Sequence, residues 1–253
     1  PPRSTLFPYT TLFRSGILYR VHGKGTFVAP RVQGVANSTG QPFVSFIAPF
    51  LYDYYQMEIV SGLEAVLKGS GYQLVVCNSN HDPQEEARLL VEQRESGSHA
   101  VVLFPTDGCK VETLTKLKAE GFPFVLVDRY LENLACDYIV SDNFGGAYNL
   151  VSHLIARGHE NIAYIYSKDN ACSAVVERFN GYRQALADHN LTTEFTFSNL
   201  PELGSVYKAN LTKQYIKLLA EYLRQTPITA VFAQNDMIAL EIMRVAKSLK
   251  INV

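Results

Sequence analysis

The 253-residue chain has no stretch approaching ~18 uninterrupted apolar residues, the length a membrane-crossing helix needs. Its N-terminus has no basic segment leading into an apolar run and a small-residue cleavage site, so nothing marks it for export. A cytoplasmic address without a membrane partner is expected. Cysteine is scarce and dispersed: Cys77, Cys109, Cys136 and Cys172 lie at least 27 positions apart. That spacing excludes a Cys-x-x-Cys redox or metal pair and a dense disulfide framework. Excess charge is lacking too. With 23 Lys and Arg against 24 Asp and Glu, a net charge of -1 excludes a protein basic throughout and held to nucleic acid by charge alone. Catalytic signatures are missing as well: there is no Gly-x-Ser-x-Gly elbow, no His-Glu-x-x-His and no Gly-x-Gly-x-x-Gly after a strand. His81, His153 and His159 make no pair at metal-ligand spacing. Neither an enzyme nor a bound cofactor or metal is expected.

The sequence does have apolar mass, 47% of residues with 11% aromatic, enough for one large domain or two small ones with cores of their own. Charge is unevenly placed along it. Residues 1–31 carry Arg3, Arg14, Arg20, Lys24 and Arg31 with no acid, a head of +5 on a body of -6. Such a contrast fits a DNA-contacting head on an acidic body. Residues 1–15 have no helical or strand periodicity and contain three prolines, and they read as foreign to the rest of the chain. Residues 5–15 also resemble the in-frame translation of a sequencing-library adapter.

From Gly16 onward the character changes. Residues 17–21 and 26–28 are short β-prone runs separated by His22-Gly23-Lys24-Gly25, the pattern of a hairpin with a cation at its tip. Leu18 and Gly25 stand where a phosphate-cradling P-loop needs a glycine and a hydroxyl, which excludes that loop. The tip is either an ordinary surface turn or a contact for phosphate or a minor groove. Residues 30–42, rich in Gly, Pro and small polar side chains, read as a linker.

The body alternates strands and helices. β runs at 43–48, 72–77, 100–104, 124–127 and 138–140 are interleaved with helical periodicity at 57–67, from Asp82, and near 111–119. Asp82-Pro83-x-Glu85 supplies an N-cap, a first-turn proline and a first-turn acid. A second series has a helix at 147–156, a strand at 162–166, and a helix carrying Val175, Phe179, Tyr182 and Leu186. An irregular stretch near 195–197, a helix with Leu211 to Tyr222, a strand at 229–233 and a helix from Asn235 complete it. This alternation predicts an α/β protein of parallel sheets with helical crossovers, in two lobes at 43–143 and 144–253, the second incomplete. Parallel sheets bind ligands beyond their carboxyl ends, so residues 49–55, 78–81, 105–107, 128–130 and 142–144 are expected to share one rim.

Two resemblances add to this reading. GILYRVHGKGTFVAP, residues 16–30, resembles the end of a GntR-type winged helix-turn-helix. It implies a wing at 16–29, with Arg20, Gly23, Lys24 and Gly25 laid on DNA. The body resembles the effector domains of LacI/GalR repressors. The resemblance rests on residues 43–49, Gly62-x-Glu64 with Gly71-Tyr72, Asp128-Arg129 and Asp142-Asn143-x-x-Gly146. It continues through His153-Leu154-Ile155-x-x-Gly158-His159-x-x-Ile162, Arg178-x-x-Gly181-Tyr182 and Thr229-Ala230-Val231-x-x-x-Asn235-Asp236-x-x-Ala239. A GntR-type wing ahead of such a sensor is similar to the arabinose-responsive repressors of bacilli. The resemblance implies a two-lobed, periplasmic-binding-protein-like (type I) fold, a homodimer, an operator DNA partner and a sugar effector between the lobes.

Sugars need hydroxyl-matching donors and acceptors plus a flat apolar face. Arg178 resembles the family's ligand-clamping arginine, or is a surface helix arginine. Tyr54 and Tyr55 follow the first strand, where the family places aromatics; one of them could instead be core. Asp142 and Asn235 could accept from hydroxyls or cap the next helix. Thr106, Arg129 and Asp53 complete the candidate set at the strand ends. A sugar-binding protein of the transport type is the alternative, and it differs by an export signal in place of a DNA-binding head.

Overall fold

The computed structural model describes residues 18–21, 25–28, 40–52, 54–166, 172–198 and 213–251. The chain divides at Gly40 into two compact units. In the first, β1 (Leu18–Val21) and β2 (Gly25–Val28) pair antiparallel with Arg20 opposite Thr26 and Val21 opposite Gly25, so the expected hairpin is present. Gly23, Lys24, residues 1–15 and Asp53 lie outside the described residues.

The second unit holds two parallel sheets. Five strands, β3 (Phe43–Ala48), β4 (Gln73–Asn78), β5 (Val101–Leu103), β6 (Phe124–Val127) and β7 (Tyr138–Ile139), lie in the order β4-β3-β5-β6-β7. They alternate with α1 (Tyr54–Gly69), α2 (Pro83–Glu95) and α3 (Val111–Ala119). Because side chains alternate along a strand, β3 feeds two cores at once. Ile47 packs with Leu89, Leu90, Leu114 and Leu117 under α2 and α3, while Val44 and Phe46 pack with Ile59, Val60, Leu63 and Leu67 of α1. Burial on both faces is what an all-parallel sheet requires, and it explains why β3 is apolar at every position but one. Its one hydroxyl, Ser45, is satisfied internally by Gln93 and Ser98 at 3.0 Å each.

The smaller sheet has the order β10-β8-β9, from β8 (Ile162–Ile165), β9 (Phe195–Phe197) and β10 (Ala230–Ala233). Around it lie α4 (Asn143–Ala156), α5 (Ser173–Asp188), α6 (Lys213–Gln225) and α7 (Asp236–Ser248). Tyr164 stacks on Tyr166, Phe179, Tyr182 and Phe232, forming an aromatic core between this sheet and α5. The α/β fold of parallel sheets expected from the sequence is observed. Two local readings need correction. Residues 195–197 are not irregular but a strand paired with β8. Helix α4 begins four residues ahead of the predicted Ala147, because Asp142 caps it and draws Gly145 and Gly146 into its first turn.

Helices α4 and α5 approach closely at Gly181. A Cβ there would sit 2.3 Å from the Phe144 carbonyl oxygen and 3.0 Å from both the Ala147 Cβ and the Tyr148 nitrogen. Backbone on both sides leaves little room to yield. Gly181→Ala is therefore expected to destabilise the protein by about 1–3 kcal/mol through overpacking, in spite of alanine's better helix propensity. Urea denaturation of both proteins checks this, and an unchanged midpoint excludes the close approach.

Candidate functional site

The carboxyl ends of β3, β5 and β6 bring together one cluster. After β5 the chain turns through Thr106, Asp107 and Gly108, and after β6 it passes through Asp128 with a positive φ of 72°. That angle is uncommon for a residue with a Cβ. The Asp128 N–H is nonetheless held by the Ile139 carbonyl at 2.9 Å, so β7 fixes the turn. The turn directs Arg129 inward. Its side chain, 12% exposed, donates to Asp107 at 2.7 Å, faces Asp128 at 3.4 Å and lies 5.1 Å from the centroid of the Phe104 ring. Burial alone would make this guanidinium easier to deprotonate. Cys172, Asp107 and Asp128 outweigh that effect and raise its pKa.

Aromatic rings border the cluster. Tyr55 meets Phe104 edge-on, and Phe50 stacks on Tyr52 and on His81 at centroid distances of 4.7 and 4.9 Å, with the Tyr52 hydroxyl 3.4 Å from His81 Nε2. Tyr54, in the same first turn of α1, is 79% exposed. Thr106 is buried, and its amide donates to the Glu86 carboxylate at 2.6 Å.

A second cluster lies where α4, α5 and β10 meet. Arg178 donates through Nε to Asn143 Oδ1 at 2.8 Å and through Nη1 to the Gln234 carbonyl at 2.6 Å. This fork ties α5 to the start of α4 and the end of β10. Asp142 accepts from the Gly145 amide at 2.8 Å, and Asn235 from the Ile238 amide at 3.0 Å. Both are N-caps, which was one of the two readings open for each.

The two clusters are joined by Tyr130, next in sequence to Arg129. Its amide donates to Ser173 Oγ at 2.9 Å and its hydroxyl to Glu177 at 3.0 Å, both on α5. The bond to Glu177 raises the phenol's pKa. Arg178 comes directly after Glu177, so the helix that presents one arginine is bonded to the segment that presents the other.

The candidates thus fall into two sets, Tyr55, Thr106 and Arg129 in one and Asp142, Arg178 and Asn235 in the other. Asp107, Tyr130, Asn143 and Gln234, which position the arginines, were not singled out from the sequence. Asp107, Tyr130 and Asn143 lie in the predicted rim segments and could have been found there; Glu86 and Gln234 left no such signal. Among the described residues no group of three or more His, Cys, Asp and Glu could hold a metal ion. Among them, too, no helix is long and apolar enough to cross a membrane.

Two parallel sheets with polar side chains gathered where their strands end define the class, a periplasmic-binding-protein-like α/β domain. The chain belongs to the family of periplasmic binding proteins and sugar-binding domains of the LacI family, matched over residues 41–250. It is 27% identical over 246 residues to an arabinose metabolism transcriptional repressor of Geobacillus stearothermophilus, covering 93% of this chain and 64% of that protein. A repressor of the same name from Halalkalibacterium halodurans is 24% identical over 259 residues, covering 96% and 65%. The chain thus spans just under two thirds of these relatives' lengths. Among solved structures, a LacI family transcriptional regulator from Enterococcus faecium with bound ribose superimposes with a TM-score of 0.67 at 20% identity, covering 83% of this chain and 74% of that one.

The caps make a separable prediction. Asn235→Ala is expected to cost about 1 kcal/mol of stability, while Asn235→Ser, which can still accept from the Ile238 amide, costs a few tenths. Thermal denaturation of the three proteins checks it; equal losses in both variants would show that Asn235 stabilises by something other than capping.

Proposed function

We propose that this chain is the effector-binding part of a DNA-binding transcriptional repressor, and that its effector is a sugar, with arabinose the first candidate. The observation that carries this reading is the pair of anchored arginines, Arg129 and Arg178, set on two bonded rims, with aromatic rings around Phe104 beside Arg129. Fixed guanidinium forks offer planar donors to hydroxyls, and the rings offer a face for the sugar's C–H surface. The repressor names of the two curated relatives and the ribose in the Enterococcus structure support the same class of ligand. In this proposal Asp53, Tyr54, Tyr55, Thr106 and Arg129 serve one wall, and Asp142, Arg178 and Asn235 the other. Asp142 and Asn235 each have a second lone pair beyond the capping bond.

The domain assignment is part of the proposal. Residues 1–15 are non-native, 16–29 are the wing of a GntR-type winged helix-turn-helix, and 30–42 a linker. The sensor's lobes are 43–143 and 144–253. Arg20, Gly23, Lys24 and Gly25 contact operator DNA, and the repressor works as a cytoplasmic homodimer. A sugar bonded from both walls favours the state in which the walls are close, and that differential affinity is what can alter operator binding.

Calorimetry with L-arabinose, D-ribose, D-xylose and D-galactose tests the reading. Arg178→Ala is expected to weaken binding of the sugar recognised by about 1.5–3 kcal/mol, the range for hydrogen bonds to charged groups. Arg178→Lys should recover little, because an ammonium cannot reproduce the fork that reaches Asn143 and Gln234 together. Circular dichroism confirms that each variant is folded. Absence of binding by all four sugars overturns the proposed ligand, and unchanged affinity in Arg178→Ala removes Arg178 from the site.

A further inference from the structure

Glu86 stands in the first turn of α2 and is fully buried, an uncommon place for a carboxyl group. One oxygen, Oε2, accepts from the Thr106 amide at 2.6 Å. The other, Oε1, is buried and meets no hydrogen-bond partner among the described residues, and the same is true of the Thr106 hydroxyl. Thr106 opens a tight turn: its carbonyl accepts from the Cys109 amide at 3.1 Å, and Gly108 has a positive φ of 74°. Asp107, the second residue of that turn, holds Arg129 at 2.7 Å. A single buried carboxyl therefore fixes the turn that fixes Arg129.

We propose that Glu86 is a proton-linked positioning residue, whose protonation state sets the turn at Thr106 and Asp107 and, through Asp107, the placement of Arg129. The link to a sugar rests on the functional reading above; the link to Arg129 does not. The groups facing Glu86 are the Thr106 amide, the Cys109 thiol, the Arg129 guanidinium and the Asp107 carboxylate. With Glu86 ionised, three carboxylates (Glu86, Asp107 and Asp128) surround one arginine; protonation removes the buried one. Burial pushes the Glu86 pKa up to about 7, against the smaller opposing effects of Cys109, the Thr106 amide and Arg129.

The direction of the pH effect depends on which state holds the turn better. Above pH 7 the ionised group accepts a charge-assisted bond from Thr106 and attracts Arg129, so the turn is held firmly. Below it the neutral acid is the weaker acceptor and Arg129 depends on Asp107 and Asp128 alone. Sugar binding should therefore strengthen as pH rises through neutrality.

The experiment is a pH titration of the 15N-labelled protein by NMR, without ligand, from about pH 5.5 to about pH 8.5. The Thr106 amide and the Arg129 Nε–H are expected to shift together with one midpoint near 7, and both shifts should vanish in Glu86→Gln. A Thr106 amide that does not titrate overturns the proposal, as does an Arg129 signal that stays still while Thr106 moves. The wild-type titration decides even where the variant fails to fold. Calorimetry with L-arabinose at pH 6 and pH 8 is the second arm. About 5-fold tighter binding at pH 8 is expected in the wild type and no comparable difference in Glu86→Gln. Affinity independent of pH overturns the coupling to binding. If L-arabinose binds at neither pH, the proposed sugar fails, and the two NMR signals still decide the role of Glu86.

Discussion

The first two turns of α5 hold the second unit's two sheets to each other. Ser173 and Glu177 receive Tyr130 from the five-stranded sheet, and the next residue, Arg178, reaches Asn143 on α4 and the Gln234 carbonyl at the end of β10. One turn further on, Gly181 lets α4 pack against the same helix without a side chain between them. Small displacements of α5 must therefore be felt at both rims. A helix so bonded can transmit a change at one arginine to the other, because packed interfaces switch between arrangements and do not deform smoothly.

The backbone architecture was legible because local signals agreed. At α2 an N-cap, a first-turn proline and first-turn acids coincide, and the structure shows Asp82 accepting from the Gln84 amide as that pattern requires. The doubly buried β3 reads as a continuous apolar run, and its interior serine is the only residue that breaks it. Where one signal was missing the reading slipped. The paired glycines at 145 and 146 argue against helix by propensity, yet the Asp142 cap and packing against α5 override them. Strand β9 is three residues long and carries no period that a sequence could display; it is defined by its pairing with β8.

The site was less legible, for a different reason. Arg129 and Arg178 could be named because they fall in recognisable segments, but the groups that aim them come from elsewhere in the chain: Asp107 lies 22 residues before Arg129, and Asn143 35 residues before Arg178. Both lie in strand-end segments expected at the rim, but no local pattern shows which arginine each of them holds. Glu86 is the extreme case, since its place on an otherwise charged helix surface reads as solvated, and only the fold shows that Thr106 covers it. Buried polar side chains are set by long-range geometry, and the apolar periodicity that locates helices carries no record of them.

The two arginines are anchored by opposite means. Arg129 is bracketed by Asp107 and Asp128, so its charge is largely neutralised and its position is set electrostatically. Arg178 rests on neutral acceptors, the Asn143 side chain and the Gln234 carbonyl, which fix its direction without cancelling its charge. Each loses much of its rotamer freedom before any ligand arrives, so a bound molecule need not supply the cost of ordering it. The difference lies in what remains to be offered. Arg129 brings its own two carboxylates to the rim, making that side a place for hydroxyl donors as well as acceptors, whereas Arg178 presents a guanidinium whose remaining N–H groups can only donate. A polyhydroxylated ligand, whose every hydroxyl both donates and accepts, matches that asymmetry better than one carrying groups of a single kind.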